Sequence, residues 1–257
     1  MAEINFTIIA NPRTGSNHLI ELLNSHNEIT CHREVFHRDN IYMLEGTRNE
    51  LLQERKDNPL AFLMQMYDLS PTRACGFKIF NGHDDSVLDQ VIHDSSIKKI
   101  ILYRPNFLSV YSSEKIAQLE NRYLIIGDRI KKTDVNVYDS SRTSEKAYFD
   151  KVEFELALNA YQDFYKKTVI ALNKTNQDYL LLNYEDYINE YFFRRTFSFL
   201  GLFQPDEVYT RMRKLNSSDI LSRFTNPNEV KIYIEKIGRM NWAYEGFMLW
   251  DNKSFDR

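Results

Sequence analysis

The chain has 257 residues, of which 43% are hydrophobic and 27% are charged, and its 33 Lys and Arg against 36 Asp and Glu give a formal net charge of −3. This composition supplies a sizeable core and excludes both a disordered chain and a broad basic surface for nucleic acid. The two distant cysteines, Cys31 and Cys75, argue against a disulfide framework and a thiolate zinc site. No apolar run approaches the ~20 residues of a membrane span, and the first residues do not form a signal peptide pattern, so we expect a cytoplasmic protein.

Short apolar runs alternate with longer helical patterns along the chain. Strands are predicted over residues 5–10, 74–80, 98–103 and 179–183, and helices over residues 16–24, 106–119, 151–173 and from about residue 185. Strands that are separated by helices are typical of βαβ units, in which helices cover both faces of a mainly parallel sheet. We therefore predict an α/β fold with a single domain over residues 1–257, built on a central, mainly parallel sheet.

Two segments between the third and fourth strands have contrasting patterns. In the long predicted helix an apolar residue recurs at every fourth position, which predicts a stripe that packs into the core. The residues of this stripe are Val152, Leu156, Ala160 and Phe164, with Ala157 and Tyr161 beside them. Residues 122–148 are polar and irregular, which predicts a solvated excursion, with a lid over a site as the alternative.

The turn between the first strand and the first helix has the composition of an anion site. It reads Asn-Pro-Arg-Thr-Gly-Ser-Asn-His over residues 11–18, at the carboxyl edge of the predicted sheet, where ligands usually bind. The helix amides attract an anion, Gly15 allows close backbone approach, and Arg13 adds a forked cation. Thr14 and Ser16 add hydroxyl donors. A simple helix cap by Ser16 or Asn17 would not require all of these together, so we favour an anion cradle.

A comparison with the loops that bind metal nucleotides narrows the kind of anion. Aligned with the pattern G-x-x-x-x-G-K-[ST], the turn has Ala10 at the first glycine and Ser16 at the lysine. Asn17 replaces the hydroxyl that would hold Mg²⁺. A kinase or ATPase that uses metal-bound nucleotide is therefore disfavoured, and a phosphate-type donor that binds without metal fits better.

These residues resemble a known family, the sulfotransferases that use 3′-phosphoadenosine 5′-phosphosulfate (PAPS) and release 3′-phosphoadenosine 5′-phosphate (PAP). Residues 12–16 are similar to the family's 5′-phosphosulfate loop, in the Arg form of the bacterial carbohydrate and nodulation-factor-type branch. The resemblance implies a single P-loop-like α/β domain and metal-independent sulfuryl transfer with PAPS as co-substrate. It also implies that the donor is bound by Arg13, Thr14, Gly15, Ser16 and Asn17.

Further landmarks of the family follow in the same order. An Arg that ends a strand and a Ser eight residues later bind the 3′-phosphate in the family, and Arg104 and Ser112 match them here. Residues 183–186 (NYED) resemble the segment whose Tyr contacts adenine, which implies that role for Tyr184, with a packed core tyrosine as the alternative. Residues 199–202 (FLGL) and, less specifically, 216–230 also resemble the family.

The proton acceptor differs from that of the cytosolic animal enzymes of the family. Those enzymes have a catalytic histidine two residues after a strand lysine, whereas here the residue two positions after Lys78 is Phe80. The bacterial branch uses a glutamate after the first helix, and Glu34 is the matching acid, which could act as base if burial raises its pKa toward neutrality. Lys78 would assist Arg13 at the leaving phosphate. The alternatives for the base are His32, His37 and His83, and the structural alternative for Glu34 is an ion pair with Arg33 or Arg38.

The kind of molecule that accepts the sulfuryl group is predicted from two long segments that pass over the edge of the sheet, which we call the excursions. Residues 35–59 and 119–150 carry Tyr, Asn, Arg and Glu, which suits a small polar acceptor such as a saccharide or natural product, sulfated on a hydroxyl or a nitrogen. The aromatic content is compatible with a homodimer. Two other functions stay open: a nucleoside or nucleotide kinase with a degenerate P-loop, and a non-catalytic nucleotide-binding protein of the same fold.

Overall fold

The computed structural model describes residues 2–131, 144–188 and 190–245. The strands are β1 (Ile4–Ala10), β2 (Ile29–Cys31), β3 (Ala74–Phe80), β4 (Ile97–Tyr103), β5 (Ile126–Lys131), β6 (Tyr179–Asn183) and β7 (Tyr209–Met212). The helices are α1 (Ser16–Leu23), α2 (Leu52–Asp57), α3 (Pro59–Asp68), α4 (Asp85–His93), α5 (Phe107–Glu120), α6 (Lys151–Lys174), α7 (Tyr184–Ile188), α8 (Glu190–Leu200) and α9 (Pro227–Lys236). None of the helices in these ranges is long and apolar enough to cross a bilayer.

Five strands form one parallel sheet in the order β2-β3-β1-β4-β6. Strand β1 is central, and its last residue, Ala10, pairs with Phe80 of β3 and with Leu102 of β4. The carboxyl ends of these three strands therefore meet at one edge, and the loops that follow them share that edge. The predicted α/β fold with a parallel central sheet is confirmed, and each of the predicted strands lies within one residue of its observed bounds.

Helices bury both faces of the sheet, which explains why its central strands are almost continuously apolar. All seven residues of β3 are buried, including Lys78. One face of the sheet packs against α3, α4 and α6, and the other packs against α1 and α8. A third cluster joins α5, the first turns of α6 and α9 beside the sheet. This packing fixes the strand ends, and with them the loops that form the site.

The buried face of α6 differs from the predicted stripe. Val152 and Leu156 are 65% and 67% exposed and Ala160 is exposed too, so their prediction as core residues was wrong. A step of four residues overshoots one helical turn by about 40°, so a stripe with that spacing moves away from the core-facing side. The buried residues of α6 are Phe154, Phe164, Tyr165, Thr168 and Leu172, so Phe164 is the one member of the four-residue stripe that is buried.

The polar segment after α5 contains a strand that the pattern did not predict. Strand β5 pairs antiparallel with β7, with Ile126 opposite Met212. Its sequence includes Gly127 and Asp128, residue types that are depleted in strands, so it gave no signal. Residues 132–143 lie outside the described part of the chain, so the predicted excursion over residues 119–150 is described only at its two ends.

Candidate active site

The loop between β1 and α1 has a backbone shape that suits an anion. Arg13 has a φ of 64° and Gly15, the N-cap of α1, has a φ of 88°, so left-handed residues flank Thr14. Successive amides in such turns form concave anion sites. The first N–H groups of a helix have no partner within the helix, and Gly15 has no side chain to cap them. A cap by Ser16 or Asn17 is therefore not what shapes this turn.

Buried hydroxyl groups hold the loop in place. The hydroxyl of Tyr187 donates to the carbonyl of Gly15 at 3.1 Å. The backbone N–H of Asn11 donates to the hydroxyl of Tyr165 at 3.0 Å. The hydroxyl of Thr14 donates to the carbonyl of Asn11 at 2.7 Å, so Thr14 stabilises the turn from behind the cavity. The loop is thus tied to α6 and α7, both distant in sequence.

Gly15 is packed so closely that no side chain fits there. A Cβ atom at this position would lie 2.5 Å from a ring carbon of Tyr184 and 2.6 Å from the hydroxyl of Tyr187. We therefore expect Gly15→Ala to lower the free energy of unfolding by about 2–4 kcal/mol, from backbone strain and overpacking together. Denaturant unfolding measures this loss.

Gly201→Ala is the matched control for that substitution. Gly201 has a φ of 76°, and a Cβ atom there would meet no neighbour within 4 Å, so the control carries the backbone strain alone. We expect it to lower the free energy of unfolding by about 1 kcal/mol. Equal losses of unfolding free energy in the two variants would show that the Tyr184 and Tyr187 rings move aside at no cost. Close packing of these rings against Gly15 would then not hold the loop.

The guanidinium of Arg13 lies beside the loop and reaches toward α5. Its Nε donates to the hydroxyl of Ser113 at 3.0 Å, and its Nη1 donates to the carbonyl of Tyr123 at 2.7 Å. Burial lowers the pKa of Arg13, and Glu114 partly offsets this, so the guanidinium stays charged at neutral pH. The two acceptors are neutral oxygens, which leaves the charge of Arg13 to an anionic ligand.

Arg104 follows β4 and lies against the same loop. Its guanidinium carbon is 4.0 Å from the centre of the Tyr184 ring, and its Nη1 donates to the carbonyl of Arg13 at 3.3 Å. Its Nη2 is 3.0 Å from Oε1 of Glu245. Burial alone would lower the pKa of Arg104, but Glu245, Tyr184, Glu185 and Tyr187 together outweigh burial and the pKa is raised. The Tyr184 ring therefore packs against Arg104 and also lines the cavity described below.

Ser112, which is predicted to contact the ligand, lies behind the cavity wall in this structure. Its buried hydroxyl donates to the carbonyl of Ser109 at 3.2 Å and accepts from Nη1 of Arg223 at 3.1 Å. An α-helix turns by about 100° per residue, so the neighbouring Ser113 faces the cavity in its place. Ser112 reaches a ligand only through Arg223, which does line the cavity.

Lys78 and Glu34 form an ion pair at the other end of the cavity. Nζ of Lys78 is 2.9 Å from Oε1 of Glu34, and it donates to Oδ1 of Asn17 at 2.5 Å. Burial acts to raise the pKa of Glu34, but the Lys78 ammonium outweighs it, and the pKa is lowered. The expected rise of the Glu34 pKa toward neutrality was therefore wrong. The sequence alone did not show that the Lys78 ammonium lies beside this carboxylate. Arg33, the predicted partner, pairs with Glu21 at 3.3 Å.

The three histidines that are alternative bases are oriented by the backbone. Nδ1 accepts a backbone N–H at 3.1 Å in His32 and at 3.2 Å in His37 and His83. A neutral imidazole with Nδ1 as acceptor carries its proton on Nε2. Nε2 of His83 lies 3.6 Å from Oε2 of Glu34, and burial lowers the pKa of His83 to about 4. His32 is buried away from the cavity, so this geometry favours Glu34 over the histidines as base.

These groups share one cavity of about 1010 Å³ at the carboxyl edge of the sheet. The predicted site residues on its wall are Arg13, Gly15, Ser16, Asn17, Glu34, Lys78, Arg104 and Tyr184. The other two predicted site residues, Thr14 and Ser112, do not line the cavity. The volume accommodates a nucleotide together with a small second ligand. Both predicted excursions contribute to the wall, through His37 and Tyr42 on one side and residues 123–125 on the other.

One cation-rich part of the cavity was not predicted from the sequence. It is formed by side chains that follow β7 and by one near the end of the described chain, and these are Lys214, Asn216, Arg223 and Glu245. They belong to no local motif that signals phosphate chemistry. The only sequence signal was the unspecific resemblance of residues 216–230 to the bacterial branch.

Comparisons with known proteins give weak similarities. No protein-family profile matches the sequence, and no curated protein matches it. Among solved structures, the chain is similar to a sulfotransferase from Alicyclobacillus acidocaldarius, with 15% identity, a TM-score of 0.49, and coverage of 94% of this chain and 95% of that one. It is also similar to the mouse sulfotransferase SULT7A1 in complex with PAP, with 13% identity, a TM-score of 0.36, and coverage of 90% and 66%. These values are low, so the function is argued from the residues of the site.

Proposed function

We propose that the protein is a PAPS-dependent sulfotransferase that acts on a small polar acceptor. The observation that carries the proposal is one cavity with an anion loop at its centre, fixed cations on both sides and a carboxylate at one end. The loop has Ser16 and Asn17 where a metal-nucleotide loop has its lysine and its Mg²⁺-binding hydroxyl. A donor bound by side-chain cations and amides without metal agrees with this set of residues.

The donor end of the cavity matches the charge that develops in the reaction. Transfer breaks the bond between the sulfur and the bridging oxygen of the 5′-phosphate, and negative charge grows on that leaving phosphate. The loop amides, Arg13 and the Lys78 ammonium would stabilise this charge. Arg104 would bind the 3′-phosphate, and the Tyr184 ring would contact the adenine. Arg13 and Lys78 lie on different elements, so they can hold the phosphosulfate between them.

The carboxylate of Glu34 can accept the proton of the acceptor. As the new bond to sulfur forms, the attacking hydroxyl or amine loses a proton, and a positioned carboxylate can take it. Glu34 is ionised at neutral pH because Lys78 lowers its pKa. Lys78 also contacts Asn17 of the anion loop, so one ammonium connects the base to the donor site. Nε2 of His83 lies 3.6 Å from the second oxygen of Glu34, beyond hydrogen-bond distance.

The acceptor would lie beside Glu34, where the cavity wall is polar. Arg33, His37 and Tyr42 line this part of the cavity. Such a wall can donate hydrogen bonds to several oxygens of a saccharide or natural product. The carbohydrate and nodulation-factor-type branch, the cytoplasmic location and the homodimer stay predictions from the sequence.

Calorimetric titration tests the proposal directly. PAP, adenosine 5′-phosphate and Mg-ATP are titrated separately into the protein, with and without added Mg²⁺. We expect PAP to bind most tightly and independently of Mg²⁺. Preferential binding of Mg-ATP would support the nucleotide kinase instead, and absence of binding by all three would refute the sulfotransferase assignment.

A further inference from the structure

One carboxylate lies among three cations at the nucleotide end of the cavity. Oε1 of Glu245 is 3.0 Å from Nη2 of Arg104, and its Oε2 is 2.9 Å from Nζ of Lys214. Oε1 also accepts hydrogen bonds from Nη2 of Arg223 and, at 2.9 Å, from the hydroxyl of Ser109. We call Arg104, Lys214 and Arg223 the cation cluster. It surrounds a side chain that carries a single negative charge.

The cation cluster is better matched to a phosphate than to a carboxylate. A phosphate monoester carries close to two negative charges at neutral pH and offers three terminal oxygens. The three groups that contact Glu245, which are Nη2 of Arg104, Nη2 of Arg223 and Nζ of Lys214, supply a donor for each of the three oxygens. A carboxylate offers two oxygens and one charge, so Glu245 neutralises the cluster only in part.

The backbone of Glu245 is held independently of its carboxylate. Its N–H donates to the carbonyl of Ser218 at 2.9 Å. The side-chain amide of Asn106 donates to the carbonyls of Trp242 and Tyr244, both at 3.2 Å. None of these contacts involves the Glu245 side chain. The carboxylate can therefore leave the cluster by rotation about its own side-chain bonds, while the backbone stays in place.

We propose that Glu245 occupies the phosphate position of the cation cluster in the ligand-free protein, and that the 3′-phosphate of the nucleotide displaces it. This inference rests on the proposed function. It adds Lys214 and Arg223 to Arg104 as residues that select a 3′-phosphorylated nucleotide. It also makes Glu245 an internal competitor, which weakens the apparent affinity for that nucleotide.

Protonation does not release Glu245 near neutral pH. Burial alone would raise the pKa of its carboxyl, but Arg104, Arg223 and Lys214 outweigh burial and hold the pKa well below its usual range. The carboxylate of Glu245 therefore stays charged near neutral pH. Displacement therefore needs a competing anion, and the 3′-phosphate is that anion.

Titration of a Glu245 variant tests this displacement. PAP and adenosine 5′-phosphate are titrated into the wild type, Glu245→Gln and Glu235→Gln, in which the last replaces an exposed acid of α9 as the matched control. We expect Glu245→Gln to bind PAP about 10-fold or more tightly than the wild type, because a charged competitor is removed. Adenosine 5′-phosphate should bind all three proteins equally.

The outcomes separate this inference from the proposed function. If the wild type binds PAP and Glu245→Gln binds it equally or more weakly, Glu245 is a structural partner of the cluster and the displacement is refuted. If PAP binds to neither protein, the proposed function fails first. A crystal structure of the wild type with PAP gives a test that does not depend on the folding of a variant. In it the carboxylate of Glu245 should have left Arg104, and retention of that ion pair would refute displacement.

Discussion

Glu34→Gln is expected to lower the turnover of the proposed sulfuryl transfer by ~10²–10⁴-fold, with little change in the affinity for PAP. The amide retains an oxygen that can accept from Lys78, so the packing around the Lys78 ammonium changes little. It cannot take a proton from the acceptor, so the chemical step is impaired. Single-turnover kinetics with PAPS, together with calorimetric titration of PAP, separate the two effects.

Glu28→Gln is the control for the Glu34 substitution. Glu28 is an acid just before β2, at the amino end of the strands and away from the cavity, so its loss should leave both quantities unchanged. Normal turnover in Glu34→Gln would move the role of base elsewhere. His37 would then be the first histidine to replace, because it lines the cavity.

Arg104→Ala is expected to weaken the binding of PAP by about 10–100-fold, while adenosine 5′-phosphate binds almost as before. The proposed role of Arg104 concerns the 3′-phosphate, which adenosine 5′-phosphate lacks. Arg104→Lys should give an intermediate loss, because the charge is kept but the fork and its stacking on Tyr184 are not. Titration of both nucleotides into each variant measures the difference.

Arg73→Ala provides the matched control for Arg104. Arg73 directly precedes β3 at the amino end of the sheet, where its Nε is 2.9 Å from Oε2 of Glu3. Its removal should leave both affinities unchanged. If Arg104→Ala weakens both nucleotides to the same extent, Arg104 supports the loop through its contact with the Arg13 carbonyl, and its assignment to the 3′-phosphate fails.

The sheet could be predicted because its longer strands are recognisable as short apolar runs in the local sequence. Buried parallel strands need apolar side chains on both faces, so residues 74–80 stand out as a short apolar run with the observed bounds. Strand β2 has three residues, and β5 contains Gly127 and Asp128, so neither differs from a loop in its pattern. The predicted buried face of α6 was wrong for a geometric reason. Each step of four residues overshoots one helical turn, so a stripe with that spacing moves around the helix.

The site was predictable where one segment carries its own chemistry. The turn over residues 12–17 combines an anion loop, an arginine and hydroxyls within a few positions, and its place in the fold follows from the strand before it. The ion pair of Lys78 with Glu34 and the contacts of Arg223 with Glu245 join residues that are far apart in sequence or unmarked by a motif. These pairings arise from tertiary packing, which local patterns do not encode.

The burial of Ser16 has an evolutionary consequence. Ser16 holds the position of the lysine in metal-nucleotide loops, and it is 4% exposed. A lysine introduced there would place a second ammonium near Lys78, which already contacts the adjacent Asn17. Two ammonium groups in the same cavity repel each other. A lysine at position 16 therefore calls for a compensating change at Lys78.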